Sequence, residues 1–309
     1  MSHGHDHSHV GDPAAPGHRR RIAIALGVTA TILVAQAVGA LLTGSLALLT
    51  DTAHMLTDAG GLAVALVAAT LMARPPTERL TWGFRRVEVL AALTQAAVLL
   101  AVGVYAAVEG VRRLWTPPEI APTELLVFGV VGLVGNIVAI AVLASGRDAN
   151  LNMRAAFLEV VNDALGSVGV IVAAIVIRTT GWLQADALAG LLIAALIVPR
   201  AVTILREAGG ILLEQTPRGL DLGEVREHML GVDHVVDVHD LHASTVATGL
   251  PVISAHVVVD DECFRTGHAP EILQRLAECV ATHFPVALEH STFQIETAEH
   301  AAQETHRHG

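Results

Sequence analysis

The chain divides by its pattern of apolar and polar positions. Six long apolar stretches come first, near residues 22–42, 46–73, 87–111, 122–144, 154–178 and 185–206. Each is long enough to cross a hydrocarbon core of roughly 30 Å as a helix. The links between them are short: "TGS", "RPPTERLTWGFRR", "WTPPEIAP", "SGRDANLN" and "TGWLQA". Pro199 lies late in the sixth stretch, where a membrane helix tolerates a kink. After "LLEQTP" the texture changes. "LDLGEVREHMLG" has the spacing of an amphipathic helix. "VVDVHDLHAST" and "LPVISAHVVVD" alternate apolar and polar residues around "VATG" and predict a hairpin. "APEILQRLAECVATHF" predicts a second helix and "HSTFQIETA" a last strand. The expected fold is a polytopic α-helical membrane protein with six transmembrane helices and a C-terminal α+β domain. Its predicted parts are a disordered tail at 1–18, a membrane domain at 19–209, the α+β domain at 210–298 and a disordered tail at 299–309.

Composition agrees with this division. Of 309 residues, 52% are hydrophobic and only 16% charged, with a mean hydropathy of +0.55. That is too apolar for an ordinary soluble enzyme of this length. The opening "MSHGHDHSHVGDPAAPGH" is too polar for a core and lacks the apolar region of a cleaved signal peptide. Every basic side chain is arginine, a coding bias expected of a GC-rich bacterium. Arg19, Arg20, Arg21, Arg74, Arg79, Arg85, Arg86, Arg147, Arg154, Arg206 and Arg218 fall on one side of the predicted topology. Arg112, Arg113 and Arg178 fall on the other. The positive-inside rule then places both termini in the cytoplasm, with the protein in the inner membrane.

The net charge of −11 gathers after residue 215, where fifteen Asp/Glu face five Arg. This gives no basic groove for nucleic acid and favours cations as partners. Cys263 and Cys279 lie too far apart for a CxxC metal motif, and two free thiols are expected.

Chemistry enters where polar residues interrupt the apolar stretches. Of seventeen histidines, one lies between Arg19 and Gln215: His54, in "DTAHMLTDAGG". Asp51, His54 and Asp58 are spaced i, i+3 and i+7, which places them on one helical face. The fifth stretch carries Glu159 and Asp163 at i and i+4 in "LEVVNDALG". Ionisable groups at membrane depth cost several kcal/mol unless paired, hydrated or neutralised. Two such pairs in two helices supply one nitrogen and several oxygens, a set suited to a divalent cation. His54, Asp58, Glu159 and Asp163 are therefore the candidate transport ligands. Asp51 stands as a fifth ligand, a partner orienting His54 or a residue nearer the aqueous end; an orienting or proton-handling role is favoured. Gln36, Gln95 and Asn136 are expected in interhelical hydrogen bonds. Gly60, Gly61, Gly166 and Gly169 are expected to allow close helix approach. Asp186 fits either a helix N-terminal charge or an entry path.

These stretches resemble the cation diffusion facilitator family of metal–proton antiporters. The resemblance rests on "GSLALLTDTAHMLTDAGG", "RPPTERLTWGFRRVEVLAAL", "DALGSVGVIVAA", "HDLH" and "STFQIE", covering residues 19–298. It is closest to the bacterial zinc-efflux branch. The resemblance implies a homodimer in the lipid bilayer, with a cytoplasmic C-terminal domain of ferredoxin-like, metallochaperone-like shape. It implies that His54 and Asp58 fill the second-helix metal motif and Asp163 the end of the fifth-helix motif. Glu159 departs from the family, since many zinc members carry histidine there. A harder ligand set widens the expected range to cobalt, cadmium, iron or manganese. The resemblance also implies regulatory zinc held by His239, His256 and Glu296, with His242 and His290 as further candidates. His239 and His256 would lie on adjacent strands of the predicted hairpin. The loop "RPPTERLTWGFRR" lacks the Asp and His that bind metal in some members. Weak metal capture is expected instead of His3, His5, His7 and His9.

The function that follows is efflux of a cytoplasmic divalent metal, zinc foremost, in exchange for protons by alternating access. Metal binding needs deprotonated ligands and so releases protons. A membrane metal sensor without transport is the alternative, and an exporter of small organic cations a more remote one. An enzyme is not expected: an HExxH motif is lacking, no catalytic residue is assigned and no prosthetic group is implied.

Overall fold

The computed structural model describes residues 16–144 and 151–303. Most of the predicted N-terminal tail, with His3, His5, His7 and His9, lies outside these residues. So do the end of the C-terminal tail and most of the fourth link. Six long helices come first: α1 (Pro16–Thr43), α2 (Leu46–Met72), α3 (Arg86–Trp115), α4 (Pro122–Ala144), α5 (Leu151–Thr180) and α6 (Gln184–Leu212). Among the described residues, α3, α4, the Val160–Thr180 part of α5 and α6 are long and apolar enough to cross a membrane. Their outward faces are apolar too. Val98, Val104 and Val108 of α3, Val127 and Val134 of α4, and Leu192 and Leu196 of α6 are all exposed. Such a surface suits lipid rather than water.

The chain forms two compact units. One holds the helices up to Ala63 and from Gln95 to Thr203; the other holds Val64–Thr94 and everything from Ile204. In the first unit, glycines mark where helices meet. A side chain at Gly39 would strike Phe128, one at Gly132 would strike Gln36, and one at Gly135 would strike Ile32. As α1 advances its partner on α4 retreats, so these two helices run antiparallel. Gly129 against Ile171 and Asn136 against Ser167 give the same relation between α4 and α5. Gly103 against Val198 and Gly110 against Leu191 give it between α3 and α6. α1 turns into α2 through Gly44, at φ 65, a conformation glycine adopts without steric cost.

The core of this unit changes character along its length. One apolar cluster gathers Ala40, Ala47, Leu48, Leu99, Leu125, Val170, Ala174, Ile193 and Ile197. A smaller one joins Ala139, Leu143 and Val160. Between them along α4 and α5 lie the buried polar residues Asn136, Asp163 and Ser167, and α1 and α2 add buried Gln36, Asp51 and His54.

The second unit contains α7 (Leu222–Leu230), β1 (Val235–Ala247), β2 (Leu250–Val259), α8 (Glu262–Thr266), α9 (Ala269–Thr282), β3 (His290–Glu296) and α10 (Ala298–Gln303). The sheet order is β1-β2-β3, with β1 antiparallel and β3 parallel to β2. The helix, two strands, helix, strand order of the sequence is present, with the short α8 added. Asp221 caps α7 by accepting from the amides of Gly223 and Glu224. Val225, Met229, Ile272, Leu276 and Val280 of the helices pack with Val238, Ile253, Ala255 and Val257 of the strands.

Three local expectations need correction. Residues 299–303, assigned to a disordered tail, belong to α10, with Ala301 2% exposed. The sixth helix continues to Leu212, past both residue 206 and the domain boundary drawn at 209. Gly60 and Gly169 do not mark close approaches: a side chain at either meets nothing within 4 Å.

Candidate metal centres

His54 and Asp58 sit one turn apart on α2, and Nε2 of His54 lies 3.4 Å from Oδ2 of Asp58. His54 is 7% exposed and Asp163, on α5, is 5% exposed. Glu159 lies one turn before Asp163 on α5, at a position whose side chain is outside the described residues. The two helices meet nearby. A side chain at Gly166 of α5 would strike the carboxylate of Asp51 on α2. Asp51 is itself buried, and Nε2 of Gln36 donates to its Oδ2 at 2.9 Å. Asn136 donates to Ser167 at 3.4 Å, so two of the three expected interhelical amides bond across helices. The third, Gln95, packs against Gly61.

Asp186 has a structural place. Its carboxylate accepts from the amide of Leu46 at 2.7 Å, the amide of Ala47 at 3.3 Å and the Ser45 hydroxyl. A carboxyl group on α6 thus caps the N-terminus of α2.

The second cluster is built on the sheet. His239 of β1 pairs in register with His256 of β2, and Val258 of β2 pairs with Glu296 of β3. Side chains two residues apart on a strand share a face, so Glu296 comes to the same side as His256. The three ligand atoms lie within 4.8 Å of one another. Nε2 of His239 is 2.8 Å from Oε1 of Glu296, and Nδ1 of His256 is 3.7 Å from Oε2. Nδ1 of His239 lies 3.0 Å from Asp240. A neutral imidazole carries one N–H. With that proton given to Asp240, Nε2 turns a lone pair toward an acceptor carboxylate. A cation between them would satisfy both, and a carboxylate behind a liganding histidine is the usual way to fix its ring. Gln294 donates to Oε2 of Glu296 at 2.9 Å.

His242 and His290 do not join this group. His242 is exposed beyond a bulge in β1, and the His290 ring packs edge-on against Trp82 with centroids 4.8 Å apart. His300 was missed because it falls in the assumed tail. Its Nε2 is 3.9 Å from Oε2 of Glu296, one turn along from β3. Cys263 and Cys279 are free and buried. Burial pushes both thiols above their usual range, with the nearby Asp260 adding to the effect at Cys263.

The profile described as the cation efflux transmembrane domain matches residues 22–213, and that of the cation efflux protein cytoplasmic domain matches residues 217–298. The chain belongs to the cation efflux family. It is 40% identical over 298 residues to the metal cation efflux system protein CzcD of Cupriavidus metallidurans, covering 96% of this chain and 91% of the relative. It is 37% identical over 270 residues to the cadmium, cobalt and zinc/H(+)-K(+) antiporter of Bacillus subtilis, covering 87% and 86% of the two chains. Identity to the zinc transporter ZitB of Escherichia coli is 36% over 300 residues, covering 96% and 93%. Membership extends across both units, so the helices with the His54–Asp58 pair and the sheet with the His239 cluster are each part of the family's architecture.

Proposed function

We propose that this protein exports divalent metal cations, zinc foremost, across the bacterial inner membrane in exchange for protons. The observation that carries the reading is the pair of buried His54 and half-buried Asp58 on α2, in a bundle where α2 also meets the helix bearing Asp163. The names of the relatives from Cupriavidus metallidurans, Bacillus subtilis and Escherichia coli support efflux of zinc, cadmium and cobalt, and one of them names protons.

In this reading His54, Asp58, Glu159 and Asp163 hold the metal within six membrane spans, and both termini face the cytoplasm. One nitrogen and three carboxylates bind a divalent ion only when deprotonated. An empty set of three carboxylates is costly in a low-dielectric interior and takes up protons on opening outward. Metal and protons neutralise the same cluster in turn, which couples their movements. Alternating access moves α2 and α5 between inward and outward openings. His239, His256 and Glu296 hold regulatory zinc in the domain through which two copies pair. Bound metal there shifts the transport equilibrium only by its differential affinity for the two states.

The test is metal-driven proton flux in proteoliposomes with a trapped pH dye, comparing zinc, cobalt, cadmium, iron and manganese. Flux for at least one metal is expected, and Asp163→Asn should abolish it in a correctly inserted dimer. Binding without flux for every metal would overturn the transport reading in favour of a sensor.

A further inference from the structure

We infer that Gln36, Asp51 and Gly166 are positioning residues that set the register between the two ligand-bearing helices, and with it the affinity for the transported metal. The inference rests on the transport reading above and adds to it what holds the two halves of the site together.

α1 is antiparallel to α4 and α4 to α5, from the glycine contacts already described, so α1 and α5 run parallel. α2 returns along α1 after the turn at Gly44, and the Gln36–Asp51 hydrogen bond joins them side by side. α2 and α5 are therefore antiparallel. Their point of contact is known: the Asp51 carboxylate occupies the space a side chain at Gly166 would fill.

From that point the ligand spacings match. Three residues on along α2 is His54, and three back along α5 is Asp163. Seven residues on along α2 is Asp58, and seven back along α5 is Glu159. Steps of three and seven stay on one helical face. The contact of Asp51 with Gly166 is thus the registration mark from which each ligand position on α2 meets its counterpart on α5.

Gln36 holds the mark in place. It is 0% exposed and Asp51 1% exposed, and the amide donates to Oδ2 at 2.9 Å. A side chain at Gly132 of α4 would lie 2.6 Å from that amide nitrogen and 3.0 Å from the Ser167 hydroxyl, so Gln36 and Ser167 converge over Gly132. Ser167 follows Gly166 on α5. The amide of Gln36 is therefore packed between the helix that carries Asp51 and the helix that carries Gly166. What the hydrogen bond needs at position 51 is an acceptor oxygen of the right reach; the negative charge is not required for registration.

The experiment measures zinc affinity and zinc-driven flux of the full-length protein in proteoliposomes, with dimer recovery by size exclusion as the folding check. Groups that orient metal ligands are worth roughly 10–100-fold in metal affinity. Gly166→Ala should weaken zinc binding by about that factor, since its methyl strikes Asp51. Asp51→Ala and Gln36→Leu should do the same. Asp51→Asn keeps the acceptor oxygen and should rescue most of what Asp51→Ala loses. Gly166→Ala combined with Asp51→Ala should lose no more than the worse single variant, because the smaller side chain makes room for the methyl. Additive losses in the double variant would overturn the register. Asp51→Asn as damaging as Asp51→Ala would overturn positioning in favour of a charge-dependent role. A wild-type protein that binds zinc without moving it would defeat the transport reading, while leaving the affinity comparison able to support or overturn the register.

Discussion

Asp186→Ala is expected to destabilise the helical unit by about 3 kcal/mol. The carboxylate is fully buried and accepts three hydrogen bonds from the start of α2. A negative charge at a partly buried helix N-terminus adds up to about 2 kcal/mol. The amides of Leu46 and Ala47 and the hydroxyl of Ser45 lose their acceptor in a dry place, at about 1–3 kcal/mol for each group left unpaired. Against this, removing a buried charge recovers its desolvation cost, which is several kcal/mol. With the helix-end charge and the recovered desolvation roughly offsetting each other, three unpaired groups at about 1 kcal/mol each give the stated figure. Relaxation cannot easily reduce it, because Leu46 is wedged where side chains at Gly110 and Gly190 would touch it, and is 0% exposed.

The assay is thermal unfolding of the detergent-purified protein, followed by helical circular dichroism at fixed pH. By the scaling for domains of 150–250 residues, 3 kcal/mol lowers the midpoint by about 6–12 °C. Asp186→Asn retains an acceptor and should lose about a third as much. A midpoint for Asp186→Ala within about 2 °C of wild type would refute the capping role, by the same scaling.

Other expectations follow from the two clusters and the thiols. Glu159→His replaces an oxygen ligand by a nitrogen and should narrow the transported range toward zinc; an unchanged metal profile in a competition assay would count against Glu159 as a ligand. His300→Ala should lower zinc affinity of the sheet cluster by roughly tenfold, measured against a chelating dye in an Asp163→Asn background. Unchanged affinity would mean that α10 merely covers the site. Raised thiol pKa values keep Cys263 and Cys279 protonated at neutral pH, so the folded protein should react slowly with a disulfide reagent and faster as pH rises. Rapid labelling of both at neutral pH would contradict their burial.

Most element positions were legible because membrane helices and half-buried strands each impose a period on hydrophobicity. The predicted second and fourth stretches differ from α2 and α4 by at most one residue. α10 escaped because "EHAAQETHRHG" is short and polar, so local pattern argues against a helix. A local cap and tertiary packing hold it: the Thr297 hydroxyl accepts from the amide of His300 at 3.2 Å, and Ala301 is buried. The membership of Val64–Thr94 in the second unit was equally hidden. It depends on contacts such as Trp82 with His290 and Arg86 with Glu214, between segments far apart in sequence.

The sites divide along the same line. Period-two alternation around "VATG" was enough to set His239 beside His256, but Glu296 came only from family resemblance. A parallel strand returning after two helices leaves no local signal of its register. In the helical unit, spacing put Asp51, His54 and Asp58 on one face and Glu159 with Asp163 on another. It could not say which faces meet, because helix faces carry no address for their partners. Asp186 shows the limit clearly, since the amides it caps lie 140 residues earlier in the chain. Gly166 shows the converse: a residue without a side chain registers in sequence only as flexibility or spacing. In the folded unit its missing Cβ is what admits Asp51, and the equal steps from that contact to His54 and Asp163 make two separate one-face patterns a single candidate site.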